Sequence, residues 1–207
     1  MGEGSGYGII ILMTPILLLS SFLLGSIPFG YITGKIKGID ITKTGSNNIG
    51  ATNVFRTLGP ALGIAVFILD MLKGTAPIIV ATYLGMPPTT IILAGILAIL
   101  GHMYSPFVKF KGGKGVATTL GVFFGLSPIS FLITGAFMLI TIALTKYVSV
   151  GSILGSVVLV VIMIFRGEQT TYIIATSLIA VLIIYKHIPN IRRLIEGKEN
   201  KIWGNKK

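Results

Sequence analysis

About seven apolar runs, parted by polar or glycine-rich breaks, constrain this chain more than any other feature. They extend from about Tyr7 to Thr33, Ala61 to Leu84, Thr89 to Leu100, Val116 to Leu126, Ser130 to Thr145, Val148 to Phe165 and Tyr172 to Tyr185. The longer ones can cross a hydrocarbon core ~30 Å thick as helices. The expected fold is an all-α integral membrane protein of one domain, residues 1–207. Two runs, Thr89–Leu100 and Val116–Leu126, are short for a crossing at ~1.5 Å per residue. Irregular backbone at membrane depth survives only under protein or water, so the polar loop between these short runs is expected inside a cleft.

Composition agrees. Only 11% of residues are charged and 53% are hydrophobic, against roughly 25% charged in soluble domains. The net charge of +11 comes without a basic stripe bearing interleaved aromatics, which argues against nucleic acid. It fits lysine and arginine retained on the cytoplasmic side. With the N-terminus outside and the C-terminus inside, nearly every basic residue falls inside, and Arg166 falls outside. The N-terminal MGEGSGYG carries Glu3, lacks a basic region and precedes no small-residue cleavage site, so its apolar run reads as a retained first helix. There is no cysteine, hence no disulfide, zinc thiolate or cysteine nucleophile. Within the second run Asp70 and Lys73 share a helical face at i, i+3 and can pair. Ionisable groups at membrane depth are functional candidates; the plainer reading is a neutralised pair facing the interior.

A long polar interruption is Gly101–Thr118, GHMYSPFVKFKGGKGVAT. Its glycines admit positive φ and close approach to main-chain N–H groups, and Lys109, Lys111 and Lys114 stand among them. This reads either as a phosphate cradle or as an ordinary basic loop. It is not a Walker loop, because Gly115 follows Lys114 where a hydroxyl must bind magnesium.

Four polar patches converge on the same predicted face. They are Ser46 to Arg56, the glycine-rich loop, Tyr147–Ile153, and His187 to Arg193. Hydroxyls, amides, a guanidinium and ammoniums dominate, and carboxylates are few, which suits a small dianion such as a phosphate ester. Magnesium needs clustered carboxylates, zinc more than two lone histidines, and a serine triad a third member. None is evident. What remains is transfer from an already activated donor, by positioning and charge stabilisation. A transporter of an organic phosphate would use the same basic cleft, although no internal repeat is visible. A scaffold without a ligand leaves the polar motifs unexplained.

GSNNIGATNVFR, the glycine-rich stretch, KYVSVGSI and the terminal H-x-x-N-I-x-R-L-x-x-G-x-E from His187 to Glu199 resemble the bacterial acyl-phosphate:glycerol-3-phosphate acyltransferases, the PlsY family. The resemblance runs through the whole chain. It excludes the soluble-type H-x-x-x-x-D motif, since Phe107 stands five residues after His102. It implies seven membrane helices in the bacterial cytoplasmic membrane, with the site facing the cytoplasm. Acyl phosphate and glycerol 3-phosphate are the implied substrates, with no cofactor or metal; the lipid bilayer is the expected surrounding and a monomer the expected state. Carried over residue by residue, Ser46, Arg56, Lys114, Ser152, His187 and Asn190 are the implied catalytic set. Gly45, Asn48, Thr52, Asn53, His102, Lys111, Gly112, Gly113, Gly115 and Arg193 are the implied phosphate-binding residues around them. Three positions depart from the family pattern: Asn47 for a glycine, Ile188-Pro189 after the terminal histidine, and Gly151. Asparagine tolerates the left-handed conformation, so the first turn is expected to survive. The general base is either His187 or the acyl phosphate itself. Apolar walls are expected to hold the acyl chain, at about 0.8 kcal/mol per buried CH₂; its preferred length is not legible in the sequence.

Overall fold

The computed structural model describes residues 3–203, with side chains from residue 12 on; Met1 and Gly2 of the expected retained N-terminus lie outside the described residues. Every described element is helical. In order they are α1 (Glu3–Ser26), α2 (Phe29–Ile36), α3 (Ala51–Leu58), α4 (Pro60–Tyr83), α5 (Pro88–Met103), a 3-10 turn (Pro106–Val108), α6 (Val116–Leu126), α7 (Pro128–Thr145), α8 (Val148–Phe165), α9 (Thr170–Lys186) and α10 (Ile188–Ile195). Pro60, Pro88 and Pro128 each stand at the first helical position, where a missing N–H costs nothing.

All seven expected apolar runs are helices, but they do not all have spanning length. Five spans are long and apolar enough, Leu12–Ile36, Pro60–Tyr83, Pro88–Val108, Pro128–Thr145 and Val148–Phe165, and α9 with α10 makes a sixth across a 52° bend. The remaining run, α6, has 11 residues, about 16 Å of helix. Large apolar side chains such as Leu139, Leu144 and Phe165 point outward, as a lipid-facing surface requires.

The first run divides at Ile27-Pro28, between α1 and α2. Pro28 has no N–H to donate and drives the preceding residue out of the helical region. Carbonyls near such an end need partners. Ser26 O accepts the Ser105 hydroxyl, and Ile27 O accepts Lys73 Nζ at 2.7 Å.

Packing follows small residues. α1 lies against α5, α4 against α6, α3 against α4, and α7 against α8. In lipid, helices associate through close backbone approach at such residues. A Cβ at Gly25 would stand 2.1 Å from Ala98 O, and one at Gly121 would stand 1.9 Å from Met71 O. The main core runs through α4, α5, α6, α8 and α9 around Ile78, Ile99, Phe123, Met163 and Ile183. A smaller cluster of Ile41, Ile49, Val54 and Val66 fastens the residues before α3 onto α4.

Gly121→Leu is therefore expected to cost about 3 kcal/mol or more, the upper end for overpacking. Thermal unfolding in detergent, with the yield of monodisperse protein, checks this. A melting temperature equal to wild type would contradict the close α4–α6 contact.

Candidate active site

The four polar patches meet around one cavity of about 490 Å³. Ser46, Asn48, Thr52, Asn53, Arg56, His102, Lys114, Gly115, Ser152, His187 and Asn190 all line it, from the residues expected at the site. Gly45, Lys111, Gly112, Gly113 and Arg193 stand outside its lining, and their places are accounted for below.

The first patch is shaped by one buried amide. Asn53, 1% exposed on α3, accepts the Ser46 N–H through Oδ1 at 2.9 Å. Its Nδ2 donates to the carbonyls of Ile41, Thr44 and Asn48 at 3.1, 2.9 and 2.9 Å. With its amide so engaged, Asn53 folds the loop that presents Ser46. Gly45 belongs to the same turn: its φ is +66°, and a Cβ there would meet Asn53 Oδ1 at 2.3 Å. Asn47 takes φ 57°, the left-handed conformation anticipated for this departure from the family pattern.

The glycine-rich loop turns on His102. Gly113 N donates to His102 O at 3.0 Å, and a Cβ on Gly113 would strike His102 Nε2 at 2.1 Å. Gly112 is held as tightly against the His102 carbonyl. These glycines lie back against α5, so the amide of Gly113 is directed into the protein and away from the cavity. Lys111 is exposed, whereas Lys114 is turned inward. Gly115, at φ +84°, starts α6, and Gly115, Val116 and Ala117 bring its N-terminal end to the cavity wall. Beneath the loop Asp70, Lys73 and His102 are 2%, 3% and 5% exposed. Asp70 Oδ1 lies 2.6 Å from Lys73 Nζ and 3.5 Å from His102 Nδ1. The anticipated Asp70–Lys73 pair is present and extends to His102.

The third and fourth patches are joined by the carboxylate that ends the terminal motif. Glu199, 5% exposed, accepts Ser149 Oγ at 3.0 Å and Asn190 Nδ2 at 2.7 Å on Oε1, and Arg193 Nε at 2.7 Å on Oε2. Asn190 Oδ1 in turn accepts Lys114 Nζ. An ammonium must meet the amide oxygen and a carboxylate the amide nitrogen, so the orientation of Asn190 is fixed from both sides. Arg193 stands behind Glu199 and acts on the cavity through it. Gly151 allows α8 to pass close to Ile142 and Met138 of α7.

His187 sits at the α9–α10 bend, with Nδ1 2.8 Å from Ile183 O. Facing a carbonyl, Nδ1 carries the proton, and the neutral ring keeps Nε2 as an acceptor. The tail then crosses the cavity mouth. Ile202 N donates to Lys146 O at 2.9 Å, and Arg56 donates from Nε to Lys201 O at 3.1 Å and from Nη2 to Asn200 O at 2.6 Å. Ile202 and Trp203 close that side.

The polar end is cationic, with Arg56, Lys114 and Arg193 around Glu199. Burial pushes the Lys114 ammonium down to about 8; Glu199 opposes that shift, and Arg193 and Arg56 add to it. Burial raises the Glu199 carboxyl, but the hydrogen bonds from Asn190, Arg193 and Ser149 prevail and hold it below its ordinary value. Among the described residues no three His, Asp or Glu side chains gather as a metal would need. The other end of the cavity is apolar, lined by Ile64, Phe67, Leu120, Phe131, Met138, Leu139 and Ile142.

Residues 15–197 match the family described as Glycerol-3-phosphate acyltransferase. A glycerol-3-phosphate acyltransferase of Geobacter metallireducens is 47% identical over 186 residues, 90% of this chain and 96% of that protein. One of Geotalea daltonii is 45% identical over 185 residues, 89% and 95% of the two chains. The crystal structure of PlsY (YgiH), an integral membrane glycerol 3-phosphate acyltransferase, in its glycerol 3-phosphate form superposes with a TM-score of 0.89 at 40% identity, covering 93% of this chain and 96% of that one. The lysophosphatidic acid form of the same protein gives 0.85 at 40% identity, covering 91% and 95%.

Asn53→Ala strips partners from three carbonyls and one N–H, at about 1–3 kcal/mol for each group left buried and unpaired. A lowered melting temperature and faster protease cleavage within residues 42–50 are expected. Unchanged protection would mean that the loop is held otherwise.

Proposed function

The chain belongs to the glycerol-3-phosphate acyltransferase family, and we propose that it moves a fatty acyl group from acyl phosphate to the 1-hydroxyl of glycerol 3-phosphate, giving lysophosphatidate and inorganic phosphate. It is an acyltransferase of phospholipid synthesis and an integral membrane protein. The observation that carries the finer reading is the division of one cavity into a cationic end and an apolar end. An acyl phosphate has the same division.

Arg56, Lys114, Ser46 and Ser152 hold the donor's phosphoryl group, assisted by the first N–H groups of α6. Those N–H groups have no partner within the helix and attract an anion. This assigns the amide donors to the helix start, since Gly113 donates inward. The guanidinium has five N–H donors. The tail carbonyls engage Nε and Nη2, and the other hydrogens on the terminal nitrogens remain for an anion. His187 Nε2 and Asn190 position glycerol 3-phosphate.

In the reaction the hydroxyl oxygen bonds to the acyl carbon, and the bond from that carbon to the phosphate oxygen breaks. The phosphate leaves with the electron pair and takes the hydroxyl proton, so no metal and no further base is required. Charge grows on the departing phosphate, where Arg56 and Lys114 act. His187 as the base is the second reading, favoured by its acceptor at Nε2. His187→Ala keeping its rate and its neutral-pH limb excludes it.

The test combines both substrates with purified protein and EDTA. Palmitoyl phosphate and glycerol 3-phosphate are expected to give lysophosphatidate and phosphate in equal amounts. Phosphate alone would make the protein a hydrolase, and neither product would favour a carrier, to be tested by uptake into liposomes.

The ammonium of Lys114 is the anion-binding form, and it is lost as pH rises through about 8. Accordingly kcat/KM for the acyl phosphate is expected to fall above that pH. Lys114→Arg keeps a cation throughout and should remove this limb even at a reduced rate. A limb that survives in that variant belongs to another group.

A further inference from the structure

Gly135 stands near the middle of α7, and a glycine inside a helix costs about 1 kcal/mol relative to alanine. Elsewhere in the helices that cost has a visible reason. From Gly25 on, every other glycine within a helix would press an added Cβ against a neighbour, as Gly155 would against Met138 at 2.3 Å and Gly125 against Ile78 at 3.1 Å. At Gly135 nothing lies within 4 Å. No helix packs into the space its side chain would fill.

That space belongs to the cavity. Gly135 lines it together with Phe131 and Leu139 one turn to either side on α7, and Phe67 and Leu120 contribute from α4 and α6. Gly135 lies ten residues from Thr145, the cytoplasmic-motif end of α7, and so about 15 Å along the helix. The cationic end is anchored at that same end, through Ser149 and Ser152 of α8. A chain whose head sits on Arg56 and Lys114 thus passes Gly135 only if it is long.

We propose that Gly135 is the position that sets acyl-chain selection, its missing side chain leaving the groove open at mid-membrane for a long unbranched acyl tail. This rests on the proposed reaction for the identity of the chain's carrier. Each methylene that loses its place in the groove loses about 0.8 kcal/mol of burial. The glycine is conformationally replaceable, because it has helical backbone and open space. Gly135→Leu should therefore fold as well as the wild type.

The experiment compares palmitoyl and octanoyl phosphate as donors for wild type, Gly135→Ala and Gly135→Leu. Gly135→Leu is expected to lower kcat/KM for the palmitoyl donor by about tenfold or more. Its octanoyl activity and its KM for glycerol 3-phosphate should stay at the wild-type level, with Gly135→Ala in between. An unchanged ratio between the two donors, or an equal loss with both, overturns the proposal. In parallel, the shift of melting temperature on adding palmitoyl or octanoyl lysophosphatidate reads the groove without turnover. The palmitoyl shift should shrink in Gly135→Leu while the octanoyl shift is unchanged; equal shifts in wild type and variant overturn the proposal. If the wild type makes no product from either acyl phosphate, the donor assignment fails and this binding comparison still decides the role of Gly135.

Discussion

The carbonyl oxygens bared where α1 breaks at Pro28 lead to much of what surrounds the site. At membrane depth an unpaired carbonyl has no water to turn to. Lys73 reaches Ile27 O and brings a charge into the interior, and Asp70 answers that charge from one turn away. Asp70 also faces His102, whose main chain holds Gly113. A defect in the first helix is thereby tied to the loop that carries Lys114. Such a buried pair is weak evidence for stability, because desolvation offsets its attraction, but deleting one member leaves a charge alone at a cost of about 3–5 kcal/mol. The pair is better understood as fixing register between α1, α4 and the glycine-rich loop.

Electrostatics at the cavity show the same economy of partners. Arg56, Lys114 and Arg193 repel one another at the cavity, and burial favours the uncharged form of Lys114. Glu199, which itself lines the cavity, opposes that shift and holds Asn190 and Arg193 by hydrogen bonds.

The reach of the sequence follows from which interactions are local. Hydropathy is local, so the helical runs from Pro60 to Lys186 were legible, as was the Asp70–Lys73 pair within a single turn. The convergence of four motifs followed from placing loops on one face. The eight-residue helices α3 and α10 were read as loop and tail. Helices that short do not stand alone in water, and here α3 is held by its contacts with α4. Pro28 marks a place where a helix can end, but the partners of the carbonyls bared there, Lys73 and Ser105, are distant in the chain. Glu199 received no role from the sequence. Only the fold shows that Ser149, Asn190 and Arg193 surround it, although its place at the end of the terminal motif was a signal that could have been followed. In the glycine-rich loop, composition could not say which backbone amides face the cavity. His102 decides that by accepting Gly113.

The short helix α6 explains how one cavity can serve a charged head and an apolar tail. With 11 residues, α6 is too short to cross a hydrocarbon core, and its N-terminal end, Lys114 and the serines of α8 line the same cavity as the apolar walls of α4 and α7. On the proposed reaction, the carbon under attack is the atom that joins head to tail. It must lie where polar and apolar linings meet, at Ala117, Ile142 and Ser152. On that reading the reacting bond falls at the N-terminal end of α6, because there the charged donors and the apolar lining adjoin.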